Sequence, residues 1–201
     1  IPGRDDGSRA TCESCHGATP HPAAVNNKLN DHTDKVACAT CHIPAYARGG
    51  VPTKLWWDWS TAGKKDADGK PIKRKNKQGH VTYVTKKGDF KWGENMQPEY
   101  AWLSGDIRYK QLDEVINPDE VVKLNTFAGS YDDPDARIWP FKVMRGKQPY
   151  DKVNNTLVLP HLFGKDKEAY WKSYDWNRSI SAAMKAADAK VSGEYGFIET
   201  S

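Results

Sequence analysis

Every cysteine in this chain falls in one of two matching arrangements. Cys12-Glu13-Ser14-Cys15-His16 and Cys38-Ala39-Thr40-Cys41-His42 both read Cys-x-x-Cys-His. The spacing suits thioether chemistry. Two thiols three positions apart lie on one side of a turn and can each bond a vinyl group of one porphyrin. The histidine that follows then lies under the ring with its imidazole aimed at the iron. Two such motifs that use all four cysteines make a far stronger signal than one. The competing reading is zinc held by Cys12, Cys15, Cys38 and Cys41. A zinc ribbon does not require a histidine directly after each pair. A redox dithiol fits less well, because both pairs carry the histidine and no βαβ pattern surrounds either.

Haem irons that only carry electrons are commonly held by two histidines. The chain has six. With His16 and His42 as proximal ligands, His21, His32, His80 and His161 remain for the far faces. His21 lies five residues past His16, a reach of at most about 18 Å. Rounding the porphyrin edge to its own iron would strain that link, so His21 is expected on a neighbouring haem. His32 follows a short helical stretch and precedes Cys38 by six positions. His161 sits in Leu159-Pro160-His161-Leu162-Phe163-Gly164, an apolar and constrained setting. His21, His32 and His161 are therefore the distal candidates, and at least one is expected to serve a haem carried outside this chain. His80, in a lysine-rich loop, reads as exposed. Met96, Met144 and Met184 are weaker candidates.

The elements that must position these groups are thinly marked. The chain is 38% hydrophobic and 28% charged over 201 residues, a lean core for its length. Covalent haem would supply the missing apolar mass, and eight tryptophans and nine tyrosines suit packing against it. The formal charge of +4 falls towards neutrality once haem propionates are added, so neither nucleic acid nor an anionic membrane is expected as partner. No run is long and apolar enough to span a bilayer, and no signal-peptide pattern is present. The start at Ile1 reads as a processed form or part of a longer chain. Haem attachment in bacteria takes place outside the cytoplasmic membrane, so a periplasmic or extracellular location is expected.

Residues 1–11 read as an extended leading segment, and Ala23 to Asp31 as a short helix with Val25 and Leu29 on one face. Trp56, Trp57 and Trp59 cannot share a face; they read as packing against haem and nearby loops, or as a contact surface. Residues 64–80 read as a solvated, lysine-rich hairpin loop. Val81 to Thr85 and Asp89 to Trp92, around Lys86-Lys87-Gly88, form a hairpin signal. Gly93 to Pro160 reads as mostly irregular, with a short extended piece from Arg137 to Val143. Asp166 to Ser173 and Asp175 to Lys190 read as helices, the second capped by Asp175 with Ile180, Ala183, Met184 and Ala187 as its stripe and Gly193 ending the run.

The motif pair has a wider context. Cys12 to Gly17 with Pro20-His21, then Val36 to Pro44, then Trp57-Asp58-Trp59-Ser60-Thr61-Ala62-Gly63, resembles the octahaem tetrathionate reductase family. Gly146 to Tyr150 and Pro160-His161 extend the likeness more loosely. The resemblance implies a periplasmic multihaem c-type cytochrome. Members reduce tetrathionate, nitrite or hydroxylamine at one haem with a lysine axial ligand. The family has eight attachment motifs and this chain has two, so it reads as an internal portion or as a homologue that has lost or separated the other haems, and no local motif places the lysine.

The expected fold is mostly irregular, with short α-helices and little β, organised around two covalent haem c groups. The whole of 1–201 is expected to act as one haem-binding domain of a larger multihaem protein or assembly. The expected role is electron transfer within or alongside a multihaem reductase, with other haem-bearing polypeptides and a redox donor protein as partners. Two alternatives stand: reduction of a small sulfur or nitrogen oxyanion at an open or lysine-ligated haem, and a conduit built by stacking copies.

Overall fold

The structure, a computed structural model, describes residues 11–22 and 27–201. The expected leading segment through residue 10 and the first part of the helix expected from Ala23 lie outside the described residues. In chain order the helices are α1 (Cys12–His16), α2 (Asn27–Asp31), α3 (Cys38–His42), α4 (Tyr170–Ser173) and α5 (Trp176–Ala186). The strands are β1 (Thr53–Asp58), β2 (Lys73–Lys75), β3 (Val81–Val84), β4 (Gly88–Gly93), β5 (Glu99–Leu103), β6 (Ile107–Tyr109), β7 (Asn125–Phe127), β8 (Arg137–Phe141), β9 (Arg145–Asp151), β10 (Thr156–Leu157) and β11 (Tyr195–Thr200).

The expectation of little β is wrong. Strand outweighs helix among the described residues, 31% to 19%. The error lies mainly in the stretch from Gly93 to Pro160, read as irregular, which holds β5 to β10. Its strands carry residues that ordinarily argue against strands. Pro149 interrupts β9, and Pro140 interrupts β8. Pairing explains why both are tolerated. β9 pairs with β1 at 145–147 and with β10 at 150–151, so Pro149 has only Phe197 of β11 opposite it. β8 pairs with β5, and on its other side it is bridged at Ile138, by Val36, which leaves that edge open at Pro140. A residue without an N–H does least harm on such an open side.

The chain divides into two compact units. One comprises 51–93, 110–124 and 144–201. Its seven-stranded sheet runs β10-β9-β1-β4-β3-β2, with β11 also on β9. The β3–β4 hairpin forms as its turn residues signal, with Gly88 at φ 80°. α5 starts at its cap, where the Asp175 carboxylate accepts the Arg178 N–H at 3.0 Å. It ends at Ala186, before the Gly193 expected to stop it. Ile180 and Met184 of its stripe are buried with Val158, Tyr170 and Trp176, and the Tyr170 and Trp176 rings stack at 3.9 Å. Each such burial is worth about 1.5–3 kcal/mol. Trp57 of β1 packs within the protein, 4.6 Å from Trp59 and 5.2 Å from Phe90, ring centre to ring centre.

The other unit comprises 94–109, 125–143 and the described part of 1–50. It holds α1, α2 and α3 beside two-stranded ladders, β5 with β8 and β6 with β7. Two-stranded ribbons are marginal on their own. Among the described residues of this unit the buried apolar ones are Ala37, Leu103 and Ala136, while Leu29, Ile43, Tyr100, Tyr109 and Tyr131 are exposed. The lean core implied by composition is thus concentrated in the unit that carries both Cys-x-x-Cys-His motifs.

Candidate haem-binding sites

Each motif folds as one short helix. Cys and His at relative positions 1, 4 and 5 then project from the same side. α1 is capped by Thr11, whose hydroxyl accepts the Ser14 N–H at 3.1 Å, and it closes where the Gly17 N–H reaches Glu13 O at 2.8 Å. Cys12, Cys15 and His16 are exposed. The carboxylate of Glu13 faces inward and accepts from Arg137 of β8 at 3.0 Å. Its own backbone N–H and Arg137 together hold this carboxyl below the usual range against the opposing effect of burial.

α3 is fastened to the next residue of the same strand. The Ala37 N–H donates to Ile138 O at 3.1 Å, and the Thr40 hydroxyl donates to that carbonyl at 2.6 Å. The Ile138 N–H in turn reaches Lys35 O at 2.8 Å. Arg137 and Ile138, consecutive residues of β8, therefore place the two motifs. The motifs abut: Cys38 Sγ lies 3.8 Å from Oε1 of Glu13, the residue next to Cys12. Burial, then the charges of Glu13 and Cys12, push the Cys38 thiol above its ordinary value.

His42 at the end of α3 is exposed, and His21 comes beside it. Their ring centres are 6.2 Å apart with planes inclined by 9°. Asn30 of α2 grips His21 at three points. Its side-chain oxygen accepts the His21 N–H at 3.0 Å and lies 3.2 Å from Nδ1, while its Nδ2 donates to His21 O at 2.9 Å. His32 is exposed in a 3-10 turn, His32–Asp34. His161 belongs to the other unit. Its Nε2 lies 3.0 and 3.1 Å from the Asp166 carboxylate oxygens, and its N–H donates to Ser179 O at 3.1 Å. The bond to His161 brings the Asp166 carboxyl down to about 2. His80 is half-buried, its ring 5.4 Å from Trp92. Met184 is buried, and its sulfur accepts the Leu159 N–H at 3.3 Å.

These residues fit haem better than zinc. Among the described residues no three or more His, Cys, Asp or Glu side chains are grouped to hold a metal ion by themselves. The cysteines are free thiols, and three of the four are exposed. Among its described residues the unit around them buries few apolar side chains and leaves aromatic and aliphatic ones uncovered. The indole N–H of Trp139, on the β8 face shared with Arg137, is buried with no acceptor among the described residues. A donor of that kind suits a propionate carboxylate. Sequence reasoning missed Asn30, Arg137, Ile138 and Trp139 as supports. The extended reading of Arg137 to Val143 found the strand, but nothing in its composition linked it to the cysteines.

Comparison with known proteins agrees with this chemistry. Residues 54–201 match the model of the family described as bacterial cytochrome c. The matched stretch begins after the second motif, so it is independent of the cysteines. A crystal structure of octaheme cytochrome c from Shewanella oneidensis is similar to this chain, at 40% identity with a TM-score of 0.81. The similarity covers 94% of this chain and 42% of that one, so the chain spans less than half the length of the octahaem protein. Among curated proteins no sequence matches. The chain belongs to the bacterial cytochrome c family and is a multihaem c-type cytochrome by kinship. Haem c covalently bound and a role in electron transfer go with that family, as the two motifs lead one to expect. No helix among the described residues is long and apolar enough to cross a membrane.

Proposed function

We propose that the chain carries two covalent haem c groups and passes electrons between them, within or alongside a larger multihaem reductase outside the cytoplasmic membrane. Cys12, Cys15 and His16 hold one, and Cys38, Cys41 and His42 the other. Haem c supplies reversible one-electron iron chemistry. The protein supplies two rigid attachment helices, each tied to β8. The observation that carries this reading is the contact between the motifs. With Cys38 Sγ 3.8 Å from the carboxylate of Glu13, the residue next to Cys12, haems attached at the two motifs would lie close together, which favours rapid exchange of an electron. On this reading the whole of 1–201 works as one module, and its partners are further haem-bearing polypeptide and a redox donor. His32 and His161 are offered to haems beyond the two motifs, with Asp166 orienting the His161 ring.

A second reading follows from His16. No histidine ring among the described residues lies opposite it as His21 lies beside His42. A haem left open there, or closed by a lysine from elsewhere, could bind a sulfur or nitrogen oxyanion. Stepwise reductive titration of the holoprotein, followed by visible absorption and EPR, separates the two. Two low-spin centres that take up one electron each support transfer. A high-spin centre whose spectrum changes with nitrite, hydroxylamine or tetrathionate supports reduction.

A further inference from the structure

The positive charge of the chain is gathered in one stretch that haem attachment does not use. Residues 64–91 hold ten Lys and Arg against three Asp, a net +7. The whole chain carries +4, so everything outside that stretch comes to −3. Nine of the ten cations are exposed, and among the described residues Lys70 alone is paired with a carboxylate, that of Asp68 at 3.9 Å. Crowding like charges in this way works against the folded state. Cations on an outer strand guard against edge-to-edge pairing, which accounts for Lys73 to Lys75 of β2. It does not account for Lys65, Lys86 and Lys87, which come from two turns and settle over aromatic rings at α4. Lys65 Nζ lies 5.2 Å from the ring centre of Tyr174, and Lys86 and Lys87 lie 5.8 and 5.4 Å from that of Trp171. Beside Trp171, at 5.9 Å between ring centres, stands Phe163, which is 76% exposed. An uncovered aromatic side chain within a charged rim is the make-up of a surface that receives another protein.

We infer that Lys65, Lys86 and Lys87, around Trp171, Tyr174 and Phe163, form the docking surface for an acidic one-electron carrier protein. The inference rests on the electron-transfer reading and says where and by what chemistry the redox donor meets this chain. Opposite charge draws such a carrier in, and a small contact lets it leave again after each transfer. The position suits the task. α4 hangs on the segment around His161: the Tyr170 N–H donates to His161 O at 2.8 Å, and the Trp171 N–H to Leu162 O at 3.1 Å. The patch therefore lies next to a residue that the electron-transfer reading offers to a haem.

The test uses the purified holoprotein, with haem content and melting temperature measured first for every variant. The probe is a fully reduced flavodoxin, an acidic carrier. In each encounter one electron leaves the anionic flavin hydroquinone, which becomes the neutral semiquinone, and one ferric haem becomes ferrous. The second-order rate, followed by stopped flow, should fall about tenfold or more between about 20 and 300 mM salt. A triple variant with Lys65→Glu, Lys86→Glu and Lys87→Glu should be about tenfold or more slower at low salt and lose most of that salt dependence. Phe163→Ser should slow the reaction while keeping the salt dependence. A second triple variant, Lys123→Glu, Lys152→Glu and Lys185→Glu, changes the net charge by the same amount outside the patch and should react much like the wild type. Dithionite should reduce the haems of all these proteins alike. Equal slowing by the two triple variants, or a wild-type rate indifferent to salt, would overturn the inference and leave the electron-transfer reading standing. So would sedimentation with phosphatidylglycerol vesicles that the first triple variant abolishes while its flavodoxin rate is unchanged, since the patch would then meet a membrane surface. A purified wild-type protein without haem would overturn that reading and the inference with it.

Discussion

The guanidinium of Arg137 donates to the Glu13 carboxylate at 3.0 Å and ties α1, with the first Cys-x-x-Cys-His motif, to β8, the strand that also holds α3. Each side chain is about one-third exposed, at 33% and 31%, so solvent screens the pair. Arg137→Ala should cost only about 0.2–1 kcal/mol of stability. Its larger effect should fall on the first motif, as slower or incomplete haem attachment at Cys12 and Cys15 while Cys38 and Cys41 mature normally. Haem stoichiometry by mass spectrometry checks this.

The same carboxyl gives a signed pH dependence. Its folded-state value lies below the ordinary one. A depressed carboxyl contributes stability in full above its unfolded value of about 4.3, and that stability disappears as pH falls through the folded value. Glu13→Gln should therefore melt below the wild type at neutral pH and converge with it in acid. Melting curves from neutral pH to about pH 3 follow this crossing.

A buried carboxylate fixes the end of β9. Asp151 is fully buried and accepts from the N–H groups of Val153, Asn154 and Ser192, from the Asn154 amide and from the Ser192 hydroxyl. Burial alone would raise its pKa, but the donors from Asn154 and Ser192 outweigh that and lower it. Asp151→Ala leaves those donors without a partner and should destabilise the protein by about 2–4 kcal/mol in denaturant unfolding.

Gly88 closes the β3–β4 hairpin with φ at 80°, and a Cβ there would run into the Asp58 carbonyl and lie 2.8 Å from Thr61 Oγ1. Gly88→Ala should lower stability by about 2 kcal/mol or more, through both the positive φ and the clash. Equal melting temperatures for variant and wild type would contradict this placement of β1 against β4.

What the sequence disclosed, and what it hid, divides along physical lines. The two Cys-x-x-Cys-His motifs stood out because thioether formation and iron ligation demand fixed residue types at fixed spacing. The Lys86-Lys87-Gly88 hairpin and the Ile180–Met184 stripe were legible because turn geometry and helical period are local. β8 and β9 were not, since Arg-Ile-Trp-Pro-Phe and Arg-Gly-Lys-Gln-Pro-Tyr-Asp have no clean alternation and are specified by distant partners. Pro149 is acceptable only because β1 and β10 leave a gap beside it. Asn30 was hidden for a similar reason: its hydrogen bonds appear only when α2 folds back on His21, nine residues earlier. The lean composition shows in the unit with α1 and α3, where few of the described apolar residues are buried, and not in the sheet unit.

The account stands most directly on the number of haems this polypeptide binds covalently. Intact mass of the purified, denatured protein should exceed the 22.6 kDa polypeptide by two haem masses, with the porphyrin retained after acid–acetone extraction. Cys12→Ala and Cys38→Ala should each fail to mature normally. A colourless protein of polypeptide mass, or one whose cysteines bind zinc in place of porphyrin, would contradict the account.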